Sequence, residues 1–164
     1  MDKLESVKEL LGRLNMPSKQ QSTLCCLTLL AMADLKKDTS WCEANNEWIR
    51  IHDIISFISD NYEVIYAENS RETFRKQAMH PFRTAALIED NGKATNCPNY
   101  RYRVTPEFLK VLRSFTDDFD FKNDNNDVLL QFISKHSSLT DIYASKKKMQ
   151  KMPVRINNED YTFS

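Results

Sequence analysis

Between Asn69 and Val104 the periodicity of the chain switches from helical to alternating, and that switch limits the folds open to it. Asn69 to Ile88 reads NSRETFRKQAMHPFRTAALI. On a helix, Phe74, Ala78, Phe82 and Ala85 share one side, and Thr73, Lys76, His80 and Arg83 share the other. Arg71 and Arg75 flank the first turn. Asn69 is placed to cap this helix, with Glu72 completing a capping box three residues later. Leu87 to Asp90 then reads as a short strand and Asn91-Gly92 as a turn. Tyr100 to Val104 alternates aromatic or apolar residues with Arg101 and Arg103, as a strand with one buried and one basic face does. Helix, strand, loop and basic strand in that order predict a mainly α fold with a small β wing: a winged helix-turn-helix with flanking helices. One helix face would hold the core. The other, polar and basic, has the chemistry of a groove-reading helix.

The remaining elements fit that frame. Leu4 to Leu14 reads as a short helix and Met16-Pro17-Ser18 as a break. Gln21 to Leu35 is apolar nearly all round and suits a central buried helix. Lys36 to Glu47 is a polar connection carrying Trp41. Ile51 to Tyr62 is amphipathic, with Ile54, Ile55 and Ile58 inward. Thr105 caps a helix that starts at Pro106 and runs through Phe115. Thr116 to Asp127 is an acidic loop. Val128 to Met149 reads as helix, with Ser137-Ser138 as the point where it could break, and Pro153 to Phe163 alternates weakly, like a hairpin. This organisation divides the chain into a winged-helix domain, residues 1–115, and a helical extension and junction, residues 116–164.

A formal net charge of zero argues against an anionic partner, but the distribution argues for one. Asn69 to Arg113 holds nine Lys and Arg against four Asp and Glu, whereas the whole chain holds 23 of each. The local field governs attraction. The four cysteines, Cys25, Cys26, Cys42 and Cys97, lack C-x-x-C spacing, and Cys25 and Cys26 sit in an apolar run as small buried hydrophobes. The N-terminus has no secretory pattern and no apolar run is long enough to span a bilayer, so a cytoplasmic location is expected, with no membrane partner.

No catalytic or metal-binding constellation stands out. Asp118, Asp120 and Asp124 imitate a calcium loop, but Lys122 holds the fifth position, the sixth lacks Gly, and the twelfth is Leu129. Asp120-Phe121-Lys122, near Asp117 and Asp118, imitates the carboxylate-lysine element of metal nucleases, yet lies in a loop full of Asp and Asn. His52, His80 and His136 have no metal-ligand spacing. Lys146-Lys147-Lys148 with Lys151 reads as a solvated helix end.

Three segments carry a family resemblance: LTLLAMADLKKDTSWCEA from Leu27, SRETFRKQAMHPF from Ser70, and YRYRVTPEFLKVL from Tyr100. Together they resemble the N-terminal region of BsuBI/PstI-type type II restriction endonucleases, over nearly the whole chain. The run from Arg71 to His80 is the most specific part, and the tail from Lys146 resembles the family's junction segment. The resemblance implies a sequence-specific double-stranded DNA-binding domain. In that family a Mg²⁺-dependent PD-(D/E)XK domain that cleaves DNA phosphodiester bonds follows, so Mg²⁺ is implied for that domain and no cofactor for this chain. A DNA methyltransferase of the same system is implied as a functional partner. Pro81 departs from the family pattern. It removes one helical hydrogen bond and would kink the helix near His80, which weighs against Arg83 as a groove contact.

The candidate DNA-binding residues are therefore Asn69, Ser70, Arg71, Thr73, Arg75, Lys76, Gln77, His80, Lys93, Arg101 and Arg103. Arg71, Thr73, Lys76, Gln77 and His80 are placed for base edges or phosphates. Gln77 lies between the two faces of an ideal helix. Asn69 and Ser70 would cap the helix and offer N–H groups to a phosphate. Lys93, Arg101 and Arg103 would meet phosphates or the minor groove. Two other readings share these residues. One is a stand-alone winged-helix transcriptional regulator, dimeric through its C-terminal helix. The other is a protein-interaction module with an acidic partner. Homodimerisation is open in either enzyme or regulator.

Overall fold

The computed structural model describes residues 2–94 and 97–151; the hairpin expected at Pro153 to Phe163 lies outside them. Helix α1 (Lys3–Arg13) starts where Asp2 accepts the Glu5 amide. Helix α2 (Thr23–Met32) is capped by Ser22 and buried from Cys25 to Met32. Burial on all sides explains its unbroken apolar sequence. Its thiols behave as core groups: burial pushes Cys25 up and Cys26 to about 12.

Helix α3 (Ile51–Tyr62) packs Ile51, Ile54, Ile55 and Ile58 inward. After it the chain turns at Glu63, held left-handed with φ 60°. Asn15, Asp34 and Ala86 take the same conformation after α1, α2 and the helix that ends at Thr84. At those three the next residue closes a wide turn: the amides of Met16, Leu35 and Leu87 donate to Leu11, Leu30 and Phe82. Each is buried, so the turn also plants an apolar side chain in the core.

The next helix is composite. A 3₁₀ turn (Glu68–Ser70) leads into α4 (Arg71–Phe74), a π turn (Arg75–Met79) and α5 (His80–Thr84). The expected capping box does not form. Asn69 lies inside the 3₁₀ turn, Ser70 donates to the Ala67 carbonyl, and Glu72 pairs with Arg75 instead. The helix continues through Pro81. Proline has no N–H for the carbonyl four residues back, that of Gln77. That carbonyl accepts from the Gln20 side chain at 3.2 Å and the Cys25 thiol at 3.1 Å. The π turn and these two distant donors let the helix pass through the proline.

Strands β1 (Ile88–Asp90) and β2 (Tyr102–Val104) pair antiparallel, Ile88 with Val104 and Asp90 with Tyr102. Ile49 adds a bridge to Tyr102, through hydrogen bonds of 2.8 and 2.9 Å. Helix α6 (Pro106–Arg113) begins at Thr105, which is fully buried. Its hydroxyl accepts the Phe108 amide and donates to the Ala86 carbonyl. Thr105→Val keeps the shape and removes both bonds, and should lower unfolding free energy by about 1–3 kcal/mol, read by urea denaturation.

Helix α7 (Asp127–Lys151) runs through Ser137-Ser138 without a break. The segment before it is not a free acidic loop. Phe115 and Phe121 pack on Trp41, and Phe119 packs on both of them. The Arg13 guanidinium holds the carbonyls of Phe121 and Asp124. One hydrophobic core thus includes residues from Val7 to Phe132. The fold is mostly helical with a small two-stranded sheet.

Candidate nucleic-acid interface

The composite helix presents a buried stripe and an exposed ridge. Phe74, Ala78, Met79 and Phe82 are buried, whereas Thr73, Lys76, Gln77 and His80 are exposed. The five-residue step from Phe74 to Met79 is the π turn seen in side-chain register. That turn carries Gln77 fully onto the polar ridge, away from the intermediate position an ideal helix gives it. Although exposed at its edge, the His80 imidazole is held below its ordinary value, first by partial desolvation against the helix and then by the Arg83 and Arg75 charges. The shift favours the uncharged imidazole, which can both donate and accept.

The basic residues divide into two groups. Several are already paired. Arg71 contacts Glu68 at 3.0 Å, and Arg75 contacts Glu72. Arg103 contacts Glu89 at 2.9 Å and lies 4.4 Å over the Trp48 ring. Lys76, Lys93 and Arg101 have no carboxylate partner among the described residues. Lys93 is exposed in the β1–β2 loop, and Arg101 donates to the Pro98 and Tyr100 carbonyls. The local excess of positive charge is thus smaller at the surface than in the sequence.

Arg83 does not join the ridge. It donates to the buried Asp90 carboxylate at 2.7 Å and to the Tyr100 hydroxyl at 3.1 Å. Asp90 also accepts from Tyr100, the Gly92 amide and Lys147. Its side chain is 1% exposed. The lysine run on α7 is therefore not simply solvated: Lys147 reaches Asp90 at 2.5 Å and Lys146 reaches Glu89 at 3.6 Å. His136 adds a bond from Nε2 to the Ala85 carbonyl, and Tyr143 one to Glu107. Helix α7 thereby ties the end of the composite helix to the base of the β1–β2 loop.

Sequence reasoning missed three residues beside this surface. Arg50 caps α3 and grips Asp53 with two guanidinium nitrogens. His52 contacts Glu68, and Trp48 carries Arg103. The spacing of Arg50 and Asp53, four residues apart inclusive at a helix start, was the available signal.

The Asp120 and Asp124 carboxylates are occupied within their own loop. Asp120 accepts from the Lys122 amide and the Asn123 side chain, and Asp124 accepts from the Asp120 amide. Among the described residues, no three His, Cys, Asp or Glu side chains are grouped as a metal ion needs. No helix among them is long and apolar enough to cross a membrane.

Residues 1–140 match a known family, the BsuBI/PstI restriction endonuclease HTH domain. The chain belongs to that family. It is 30% identical over 156 residues to the type II restriction enzyme BsuBI of Bacillus subtilis, covering 93% of this chain and 48% of the relative. It is 26% identical to the type II restriction enzyme AplI of Arthrospira platensis, covering 91% and 45%. The SdaI restriction endonuclease structure shares the fold, with a TM-score of 0.70 at 24% identity over 91% of this chain and 46% of that one. The chain thus spans about half the length of the BsuBI/PstI relatives it matches.

Proposed function

We propose that the chain is the sequence-reading, double-stranded DNA-binding domain of a type II restriction endonuclease. The observation that carries this is the exposed ridge Thr73, Lys76, Gln77 and His80, opposite a fully buried stripe. The ridge offers a cation, an amide, a hydroxyl and a neutral imidazole, the set that distinguishes base edges in the major groove. The order α2, Ile49 bridge, α3, composite helix, β1, loop, β2 supports a winged helix-turn-helix, with Ile49 as a vestigial third strand. Arg101, Arg103 and Lys93 on the wing meet phosphates or the minor groove. Asn69, Ser70, Arg71 and Arg75 lie toward the start of the reading helix and position it on the backbone.

In this reading residues 1–115 read DNA, and 116–164 lead toward a cleaving portion in the whole enzyme. That enzyme hydrolyses phosphodiester bonds with Mg²⁺ and is matched by a protecting methyltransferase. Among the described residues no three His, Cys, Asp or Glu side chains are clustered to hold that ion. Selection from a random duplex library, followed by anisotropy at rising salt, tests the reading. A short enriched motif is expected, with affinity falling linearly on logarithmic axes at about 0.9 per phosphate contacted. Binding without enrichment would leave backbone gripping alone, and no binding at low salt would refute the interface.

A further inference from the structure

A cavity of about 360 Å³ lies beside the ridge, where the start of α3, the start of the composite helix and β2 converge. Arg50, Ile51, His52, Arg71, Arg75 and Tyr102 line it. The first amides of α3 have no partners within the helix, and the helix dipole places partial positive charge there. Three guanidiniums converge on the same space. Each is restrained by a solvent-facing carboxylate: Arg50 by Asp53, Arg71 by Glu68, and Arg75 by Glu72. His52 shares Glu68. Such exposed pairs are weak and yield readily to a stronger anion.

The second observation is independent of the charge. Arg75 Nε and the Tyr102 hydroxyl are both buried without a hydrogen-bond partner among the described residues. Tyr102 is 1% exposed. The two side chains lie within reach of one another, so the Tyr102 oxygen can take up the Arg75 N–H in a poorly aligned contact, but the buried Tyr102 proton still has no acceptor, which is costly unless something supplies one. We propose that this cavity is a phosphoryl-binding site, in which Arg75 and Tyr102 donate to phosphoryl oxygens and the α3 amides and Arg71 complete the cradle. A water's share of liquid volume is about 30 Å³, so the cavity admits a phosphoryl group with its remaining hydration. The chemistry is shared by a DNA backbone phosphate and free inorganic phosphate. Assignment to the backbone rests on the DNA-binding reading above.

The test titrates inorganic phosphate into the full chain at constant ionic strength, with chloride as the balancing anion, and follows amide and arginine Nε–H resonances. Saturable shifts at Ile51, His52 and Arg75 are expected. Tyr102→Phe removes an unpaired hydroxyl, so its fold should survive, and phosphate affinity should fall about tenfold. Arg75→Gln gives a second variant, and Lys110→Gln on α6 should change nothing. Weakening of both phosphate and random-duplex binding by Tyr102→Phe assigns the site to backbone phosphate. Weakening of phosphate binding alone assigns it to the free anion. Saturable phosphate binding without any duplex binding supports the site and removes the DNA reading. Unsaturable shifts, or shifts matched by chloride, mean an adventitious ion only and overturn the proposal. Duplex binding indifferent to Tyr102→Phe and Arg75→Gln, without a phosphate response, also overturns it while the DNA reading stands.

Discussion

Asp90→Ala should lower the unfolding free energy by about 3–5 kcal/mol, the largest single-site loss of stability we expect outside the apolar core. The carboxylate is buried and satisfies Arg83, Lys147, the Tyr100 hydroxyl and the Gly92 amide together. Removing it takes the acceptor from the half-buried Arg83 and Lys147 and from the buried Tyr100 hydroxyl together, and opens a hole where the carboxylate sat. Lys147→Ala should cost less, because Arg83, Tyr100 and Gly92 still satisfy Asp90. The pH dependence has a definite sign. Burial raises the pKa of Asp90, but bonds from Lys147 and Gly92 with the Lys147 and Arg83 charges outweigh it, and the net shift is downward from 3.8. A depressed carboxyl pKa stabilises the fold above the unfolded value and loses that effect as pH falls through the folded one. Urea unfolding of wild type and Asp90→Ala should therefore differ most near neutrality and converge below pH 3.8. A pH-independent gap, or one under about 1 kcal/mol at neutrality, would show that Asp90 is not the node described.

That node also marks where sequence reading ends. Local pattern is enough for α3, whose Ile54, Ile55 and Ile58 repeat on one face, and for the alternation of Tyr100, Tyr102 and Val104 into the core. It is enough for Phe74, Ala78 and Phe82. It does not show that Arg83 and Lys147 meet on Asp90, because those residues lie 7 and 57 positions from it. The effect of Pro81 is legible only in part, for a similar reason. Its effect on the helix depends on Gln20 and Cys25, more than 50 residues from the carbonyl they satisfy. The helix ends were obscured by composition. Only two glycines are present, and Asn15, Asp34, Glu63 and Ala86 take the left-handed positions where a glycine signal is usual. Glu68 and Glu72 stand at helical spacing from Arg71 and Arg75, so pairing within the helix leaves less free positive charge than a count of residue types suggests.

Lys76→Ala and Arg103→Ala should separate reading from gripping. Lys76 is exposed on the ridge, so its loss should leave stability within about 0.5 kcal/mol of wild type. At a base contact it should cost about 1–3 kcal/mol of affinity for the selected motif and relax preference at one or two positions. Arg103 is different in kind. Glu89 and the Trp48 ring fix its guanidinium on the outer face of β2. A pre-positioned cation there suits a phosphate, which carries no sequence information. Arg103→Ala should therefore weaken all duplexes alike and reduce the salt slope by about one contact. Competition between the selected motif and a scrambled duplex, measured at two salt concentrations, checks both. The reverse outcome, with Arg103→Ala altering preference and Lys76→Ala not, would move sequence recognition from the composite helix to the wing. The cation held against Trp48 would then have to reach into the minor groove rather than brace against the backbone.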